Sequence, residues 1–375
     1  MKKQTYRIDL LILSTLFALL PGYLIRYQER IYIWFFKNFS TYPGDLWNFW
    51  QNYLQKQGAI YPPEYPVGLR FFYELMRFDK YDNYFQYFNV NTAILSLFAV
   101  GITVLLYKIL KKNQNNYKNS IWVFWIFAPS FIVYSFINYD LPVVFLIVLA
   151  LYLFLKKKYY GAITSLAIGT VLKVFPIFLV PIFILKSPKK DWWKLGLVFT
   201  LIVIGFNLPY MAGDFSKWAF PYTWQIGQNL SKGPENGTYW WMFYNFLGDK
   251  MGWMSLGLFG LLYLFTWFKL RKTSIINLCI AVILIFLFTD RIYSPQYNLY
   301  LLPFLVLAPY MVNKKAFYLL EIPNAIHILC LFWLKEHAMW LQFLVLLKYV
   351  SIIWLYVDNY KKSFNSGVKE ENVKT

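Results

Sequence analysis

Long apolar runs separated by short polar stretches follow one another along most of the chain. A helix that crosses a bilayer needs about 20 mainly apolar residues, or fewer where it is short or broken. This pattern predicts an all-α, polytopic helical membrane protein with about twelve membrane passes. The predicted passes cover residues 8–25, 89–110, 120–137, 141–155, 159–172, 174–185, 195–212, 251–268, 273–289, 295–312, 316–334 and 338–357.

Two pairs of these runs are too short for each run to cross a membrane as a separate helix. We interpret residues 120–155 and 159–185 as helical hairpins whose outer tips stop below the outer surface. Non-helical backbone at that depth is tolerated only where it lines a cavity. The hairpin tips are therefore expected to face a cavity on the outer side.

Two long segments, residues 26–88 and 213–250, are predicted to lie on the outer side of the membrane. Loops of that length usually have a function or contain a helix of their own. In the first segment, apolar residues from Leu46 to Leu54 recur at helical spacing opposite polar ones. This predicts an amphipathic helix in the membrane interface, and a second amphipathic segment follows at residues 67–78.

The composition agrees with a membrane protein, because 59% of the residues are apolar and only 15% are charged. Soluble domains usually contain about 25% charged residues. So much apolar surface could not be hidden in the core of a soluble protein of 375 residues. A disordered chain, a coiled coil and an ordinary soluble enzyme are therefore disfavoured.

The net charge of +19 would suggest a nucleic acid partner in a soluble protein. Here the bases form short clusters between the apolar runs, as at Lys156–Lys158, and Lys348 is assigned to the same inner set. The positive-inside rule explains this arrangement without a nucleic acid, and it predicts that both termini are cytoplasmic. We expect one transmembrane domain over residues 1–358, followed by a cytosolic basic tail at 359–375. The frequent Lys, Asn, Ile and Tyr residues suggest an AT-rich bacterial genome, hence the bacterial plasma membrane.

Cysteine and histidine are too scarce for a disulfide framework or a His-rich metal site. The chain has two of each, and Cys279 and Cys330 both lie within apolar runs. No paired acidic motif typical of metal-dependent enzymes is found in the sequence. We therefore expect no metal and no cofactor.

The first candidate for chemistry is Asp45, at the start of the predicted interface helix. It could serve as an N-cap that accepts backbone N–H groups, or as a general base at the membrane boundary, and the two roles are compatible. The link that follows, Tyr61–Pro66, contains three prolines. Within it, Glu64 and Tyr65 are candidates for the rim of a substrate cavity.

The two hairpin tips supply the next candidates. At the first tip, Asn138 precedes Asp140, which could cap a helix or face the same cavity as Asp45. At the second, Lys173 interrupts an apolar run, and an ammonium at membrane depth is costly unless it is paired or faces water. It could extend to the outer interface, or it could bind a phosphate group.

A third polar group lies at residues 290–297, after the ninth predicted pass. Arg291 could pair with other outer charges or form a forked contact with phosphate. Tyr293, Gln296 and Tyr297 provide hydrogen-bond donors beside it. In the eleventh pass, we expect His327 to be buried and neutral, and Glu321 to pair with another charge in the inner half.

In this order, these motifs resemble those of the polytopic glycosyltransferases of the GT-C class. The resemblance is nearest to the polyprenol-phosphate-mannose-dependent α-mannosyltransferases, or glycosyltransferase family 87, and covers about residues 1–312. It rests on Asp45, Tyr61-Pro62-Pro63, Asn138-Tyr139-Asp140, Lys173-Val174-Phe175-Pro176 and Ser294-Pro295-Gln296-Tyr297. The first-loop acid in such families often belongs to Asp-x-x-x-Tyr, whereas Phe49 occupies the last position here.

The resemblance implies an inverting transferase that moves a sugar, mannose in these families, from a polyprenyl-phosphate-linked donor to an acceptor hydroxyl on the outer face. The acceptor would be a glycolipid, a glycan or a protein. Membrane lipid would be a further partner of the protein. Asp45 would be the catalytic base, and Lys173 and Arg291 would bind the donor phosphate. The substrate cavity would be lined by Glu64, Tyr65, Asn138, Asp140, Tyr293, Gln296 and Tyr297.

Two other functions are compatible with the sequence. A transporter or lipid flippase would place charged residues near mid-membrane in several spans. A non-catalytic membrane partner of a cell-envelope complex would tolerate replacement of Asp45.

Overall fold

The computed structural model is mainly helical, with no strand, in the residues that it describes, which are 7–27, 46, 66–69, 83–112, 119–222, 237–248, 250–333 and 338–372. Four of its helices are long and apolar enough to cross a membrane. They cover Tyr84–Lys111, Lys189–Gly213, Lys250–Leu270 and Met339–Phe364. The predicted all-α class is confirmed for these residues, and the protein is a membrane protein by this criterion. The count of about twelve passes stays a prediction.

The chain forms two compact units. Unit 1 comprises residues 1–122 and 131–224, and unit 2 comprises residues 123–130 and 225–375. The first hairpin predicted from sequence, 120–155, therefore contributes eight residues to unit 2.

Unit 1 contains the N-terminal helices, most of the first predicted hairpin and the whole of the second. Its helices are α1 (Ile8–Tyr27), α2 (Tyr84–Lys112), α3 (Asn119–Ile121), the end of α4 (Pro129–Tyr134), α5 (Asp140–Leu155), α6 (Tyr159–Leu172), α7 (Val180–Leu185) and α8 (Trp192–Gly213). Between α3 and α4 the chain makes a π-helical turn at Trp122–Ile126. The single predicted run at 120–137 is thus divided, because Pro129 has no N–H to continue a helix from the preceding turn.

Close contacts between neighbouring helices hold unit 1 together. A Cβ atom added to Gly101 in α2 would lie 2.8 Å from the Phe145 ring in α5, so the glycine permits this approach. The Ser165 hydroxyl of α6 donates to the Leu146 carbonyl of α5 at 2.7 Å. The α5–α6 turn then closes with Lys157 at a φ of 60°, while Lys158 N–H donates back to Leu153. This is the backbone pattern of a Schellman cap.

Unit 2 is built around α11, which is buried along most of its length. Its helices are α9 (Trp240–Leu247), α10 (Lys250–Leu270), α11 (Ile275–Thr289), α12 (Asn298–Leu307), α13 (Lys314–Trp333) and α14 (Ala338–Asn372). The α14 helix extends beyond the predicted end at 357 and through most of the predicted tail. Residues 123–130 join this unit through the rings of Phe124 and Phe317, whose centroids are 4.8 Å apart.

Candidate functional site

An ion pair joins the tips of the two hairpins in unit 1. The Lys173 ammonium lies 2.7 Å from Asp140 Oδ1. Asp140 is the first residue of α5, the N-cap position belongs to Tyr139, and no side chain caps this end. Asp140 therefore does not cap its helix as its sequence context suggested, and its carboxylate contacts Lys173 instead.

The geometry of Lys173 follows from the end of α6. The helix stops at Leu172, and Lys173 has an extended backbone with φ −145° and ψ 138°. Pro176 follows three residues later, in a short 3₁₀ turn. The Asp140 side chain is 1% exposed and the Lys173 side chain 13% exposed. The lysine is thus held by a buried carboxylate, a contact that neither sequence-based alternative included, and part of it stays accessible.

The first hairpin tip is fixed by further hydrogen bonds. Asn138 is buried, and its amide oxygen accepts the Tyr139 N–H at 2.6 Å. The Tyr139 hydroxyl donates to Asn91 and lies 3.1 Å from the Tyr87 hydroxyl, both in α2. The tip with Asp140 is therefore anchored to a long helix.

Two points of the first outer segment are packed against the hairpin tips. The buried Leu46 donates its N–H to the Ile137 carbonyl at 3.4 Å. A Cβ atom on Gly68 would lie 2.7 Å from the Val171 carbonyl oxygen, so only glycine fits without a shift. Three predicted site residues, Asp45, Glu64 and Tyr65, lie outside the described residues. The structure thus places near neighbours of these residues at the tips.

The third predicted group lies in unit 2, between α11 and α12. Arg291 and Tyr293 are each 1% exposed, Gln296 is also buried, and Tyr297 is half-buried. The Ile292 N–H donates to Asp290 Oδ1 at 3.0 Å. Burial raises the pKa of Asp290 to about 6, against a smaller lowering by the Ile292 N–H and Arg291. This segment is a packed part of unit 2.

Among the described residues, Glu321 has no partner for the ion pair expected from the sequence. Its carboxylate accepts the Ser130 N–H at 2.9 Å and the Asn298 amide at 2.8 Å, and these donors are neutral. His327 is buried as expected, and Gly237 approaches so closely that a Cβ would lie 2.7 Å from the His327 ring.

Lys348, assigned from the sequence to the inner set of bases, does not lie in an exposed connection between helices, and its side of the membrane stays a prediction. It is fully buried in α14, with its ammonium 4.0 Å from the centroid of the Tyr293 ring. A cation over an aromatic face gains electrostatic energy from the ring. The only sequence signal was one lysine within an otherwise apolar run, and that signal does not identify its neighbours.

Within the described residues, no group of three or more His, Cys, Asp or Glu side chains could hold a metal ion. No known protein-family model matches the chain, and no curated protein matches it in sequence. The function must therefore be inferred from the chemistry of the residues themselves.

Proposed function

We propose that this protein is an inverting, GT-C-like glycosyltransferase with about twelve membrane passes. It would move a sugar, with mannose as the first to be tested, from a polyprenyl monophosphate to an acceptor hydroxyl on the extracytoplasmic side. The observation that supports this most directly is the Asp140–Lys173 pair in unit 1. It brings together two of the motifs that carry the resemblance, and Leu46 and Gly68 of the first outer segment pack beside them.

Lys173 suits a phosphate site for two physical reasons. Its ammonium is kept at the hairpin tip by a carboxylate that is almost completely buried, so the position of the charge is restricted. The exposed part of the side chain leaves room for a second anion. In a site with little water, such a charge interacts with phosphate more strongly than it would in bulk solvent.

The reaction would be a single displacement. The acceptor oxygen attacks the anomeric carbon of the sugar, and the bond from that carbon to the phosphate oxygen breaks with its electron pair on phosphate. Asp45 accepts the hydroxyl proton, and the products are the glycosylated acceptor and polyprenyl phosphate. Attack opposite the leaving group inverts the anomeric centre, as in inverting glycosidases.

The cationic residues would stabilise the charge on the departing phosphate. Lys173 and Arg291 are the residues proposed for this role, as the motifs imply. Arg291 is buried, so its part in the proposal rests on the sequence motif and on its guanidinium chemistry. The sugar and acceptor contacts are proposed for Glu64, Tyr65, Asn138, Asp140, Tyr293, Gln296 and Tyr297.

Purified protein in liposomes, supplied with polyprenyl-phosphate-mannose and a panel of glycolipid, glycan and peptide acceptors, would test the proposal. We expect one polyprenyl phosphate to be released for each sugar that appears on an acceptor, as measured by mass spectrometry. Other polyprenyl-phosphate sugars serve as alternative donors. Absence of transfer from every donor by folded protein would overturn the proposal.

A transporter or lipid flippase is favoured by a different observation. Glu321 and Lys348 are fully buried within α13 and α14, and ionisable groups inside membrane helices often mark transport pathways. A flippase would move a fluorescent polyprenyl-phosphate lipid between leaflets of a liposome without changing its covalent structure. A transferase would change the covalent structure of donor and acceptor.

A further inference from the structure

A hydrogen-bonded cluster in unit 2 joins three segments that are distant in sequence. Its central residues are fully buried polar side chains: Ser130, Asn298, Glu321 and Asn324. They come from residues 123–130, from the start of α12 and from α13. Burying four polar side chains costs free energy unless each is satisfied by partners. Apolar packing alone therefore does not explain why four polar side chains are buried here.

Glu321 is the centre of the cluster. Its Oε2 atom accepts the Ser130 backbone N–H at 2.9 Å, and its Oε1 atom accepts the Asn298 amide at 2.8 Å. A backbone N–H can only donate, so Oε2 must be an acceptor. The Asn298 amide oxygen accepts the Tyr293 hydroxyl, which directs the NH₂ group toward Glu321. An ionised carboxylate satisfies both contacts.

Asn324 lies about one turn after Glu321 in α13 and also binds the Tyr293–Asn298 segment. Its amide donates to the Pro295 carbonyl at 2.7 Å and to the Ser130 hydroxyl at 3.0 Å. The Tyr293–Asn298 segment is thus bound to α13 at two points, the Pro295 carbonyl and the Asn298 amide, and the bond from Tyr293 to Asn298 joins its two ends. Gln296 and Tyr297 lie between these points.

We propose that Glu321 is a positioning residue that fixes the Tyr293–Asn298 segment through Asn298. The role of this segment in donor binding rests on the proposed function, whereas the fixing of its backbone does not. Bonds to an ionised acceptor are about twice as strong as neutral ones. A carboxylate can accept at both oxygens, as these two donors require, whereas the amide of a glutamine offers only one acceptor.

The contacts of Glu321 suggest a test in which the acid and the amide at positions 321 and 298 are exchanged. In Glu321→Gln, one of the two contacts would place an amide N–H against another donor. In the double variant Glu321→Gln/Asn298→Asp, the new glutamine oxygen can accept from Ser130 while its amide donates to the new aspartate. The second aspartate oxygen can still accept from Tyr293. The double variant thus restores the contacts of residue 321 with Ser130 and residue 298, and that of residue 298 with Tyr293, with the acid on the other side chain.

Hydrogen exchange of backbone amides in peptides covering residues 290–298 measures how firmly the Tyr293–Asn298 backbone is held. We expect Glu321→Gln to exchange about tenfold faster in this region, since a bond to a charged group is lost. The double variant should return toward the wild-type rate. Asn359→Ala removes another buried amide of unit 2, which donates to the Asn277 carbonyl at 3.0 Å, and should leave these peptides unchanged.

Transfer assays then connect the cluster with the reaction. We expect kcat/KM for the lipid donor to fall by about 100-fold in Glu321→Gln, because small displacements of binding groups have effects of this size. The KM for the acceptor should not change, and the double variant should recover donor use. A purely structural role would not give this selective loss and recovery.

Unchanged exchange at 290–298 in Glu321→Gln would overturn the positioning role. If Glu321→Gln does not fold, Asn298→Ala provides the second test, because it keeps the carboxylate and removes the amide through which Glu321 holds the segment. Wild-type exchange in that variant would also count against the role. Altered exchange with no transfer by the wild-type protein would support the fixing of the segment and overturn the proposed glycosyltransferase function.

Discussion

Asp140 and Lys173 form an ion pair of 2.7 Å between the first residue of α5 and the residue that follows α6. The carboxylate is almost completely buried, and the ammonium is only slightly more exposed. Their desolvation is costly, so each charge depends on the other. The pair has consequences for stability and for the proposed chemistry.

Removing one member of this pair should destabilise the protein. We expect Lys173→Met to lower the free energy of unfolding by about 3–5 kcal/mol, because it leaves a buried carboxylate uncompensated. Asp140→Asn should cost less, since the lysine is more accessible. The double variant Asp140→Asn/Lys173→Met should be more stable than Lys173→Met alone. Unfolding by SDS titration measures these values, and additive effects would contradict the coupling.

The donor phosphate site predicts a specific kinetic defect. Lys173→Met and Arg291→Met should each cost about 2.7–4 kcal/mol in transition-state stabilisation, by analogy with the deletion of an oxyanion-hole donor. Turnover as a function of donor concentration is the measurement, on variants first shown to be folded. Lys217→Met is the matched control, because Lys217 is 67% exposed and pairs with the exposed Asp214. Wild-type kinetics in both test variants would place the phosphate elsewhere.

If Asp45 is the general base, its replacement should slow the transfer reaction without unfolding the protein. Asp45→Asn keeps the size of the side chain and its capability to cap a helix, but it cannot accept the acceptor's proton. We expect the rate of transfer to fall by about 10²–10⁴ with an unchanged melting temperature. Single-turnover kinetics with saturating donor would measure it. Near wild-type turnover would leave Asp45 with a capping role only.

The contact between Gly68 and Val171 predicts a steric effect. In Gly68→Ala, the new methyl group would meet Val171 backbone atoms at 2.7 Å, and relief of such overpacking typically costs about 1–3 kcal/mol. We expect a lower melting temperature and faster proteolysis within residues 26–82. Gly205→Ala in α8 is the control, since a Cβ there would meet nothing within 4 Å. Equal behaviour of the two variants would contradict the close contact.

The raised pKa of Asp290 predicts a pH dependence of stability. Its pKa is about 6 in the folded protein against an ordinary value of 3.8, so between these values the native state binds more protons than the unfolded state. This contribution to the free energy of unfolding therefore decreases as the pH rises through that window. Asp290→Asn should remove this part of the decrease and melt higher than wild type at pH 7.

Asp214 is the control for this pH dependence, because its pKa is shifted in the opposite direction. Hydrogen bonds from the Lys217 backbone and side chain lower the pKa of Asp214. Asp214→Asn should therefore give no gain in melting temperature at pH 7. A similar response of the Asp290 and Asp214 variants to pH would contradict the assignment.

The helical class could be predicted from the sequence because it depends on the lengths of apolar runs. The ends of the hairpins near Asp140 and Lys173 were also predicted, since polar residues and prolines interrupt the runs there. Their pairing could not be predicted, because it depends on the relative lengths and packing of α5 and α6. Of the two roles that the sequence left open for Asp140, the helix cap is not observed, and the carboxylate contacts Lys173.

The buried polar residues of unit 2 show a second kind of contact that could not be predicted from the sequence. Lys348 lies within an apolar run, but periodicity does not reveal that its side chain meets the face of Tyr293. Glu321 suggested an ion pair, whereas its described partners are a backbone N–H and an amide. Both contacts depend on packing between segments that are remote in the chain, so a local pattern could not identify them.

The path of the chain limits how this protein can be divided. It enters unit 2 at Val123, leaves after Ser130 and returns at Gln225. A cut after residue 224 would therefore remove from unit 2 both the Phe124 ring that packs on Phe317 and the N–H that binds Glu321. Residues 225–375 alone therefore lack part of unit 2, and recombination between related proteins at that point would exchange an incomplete unit.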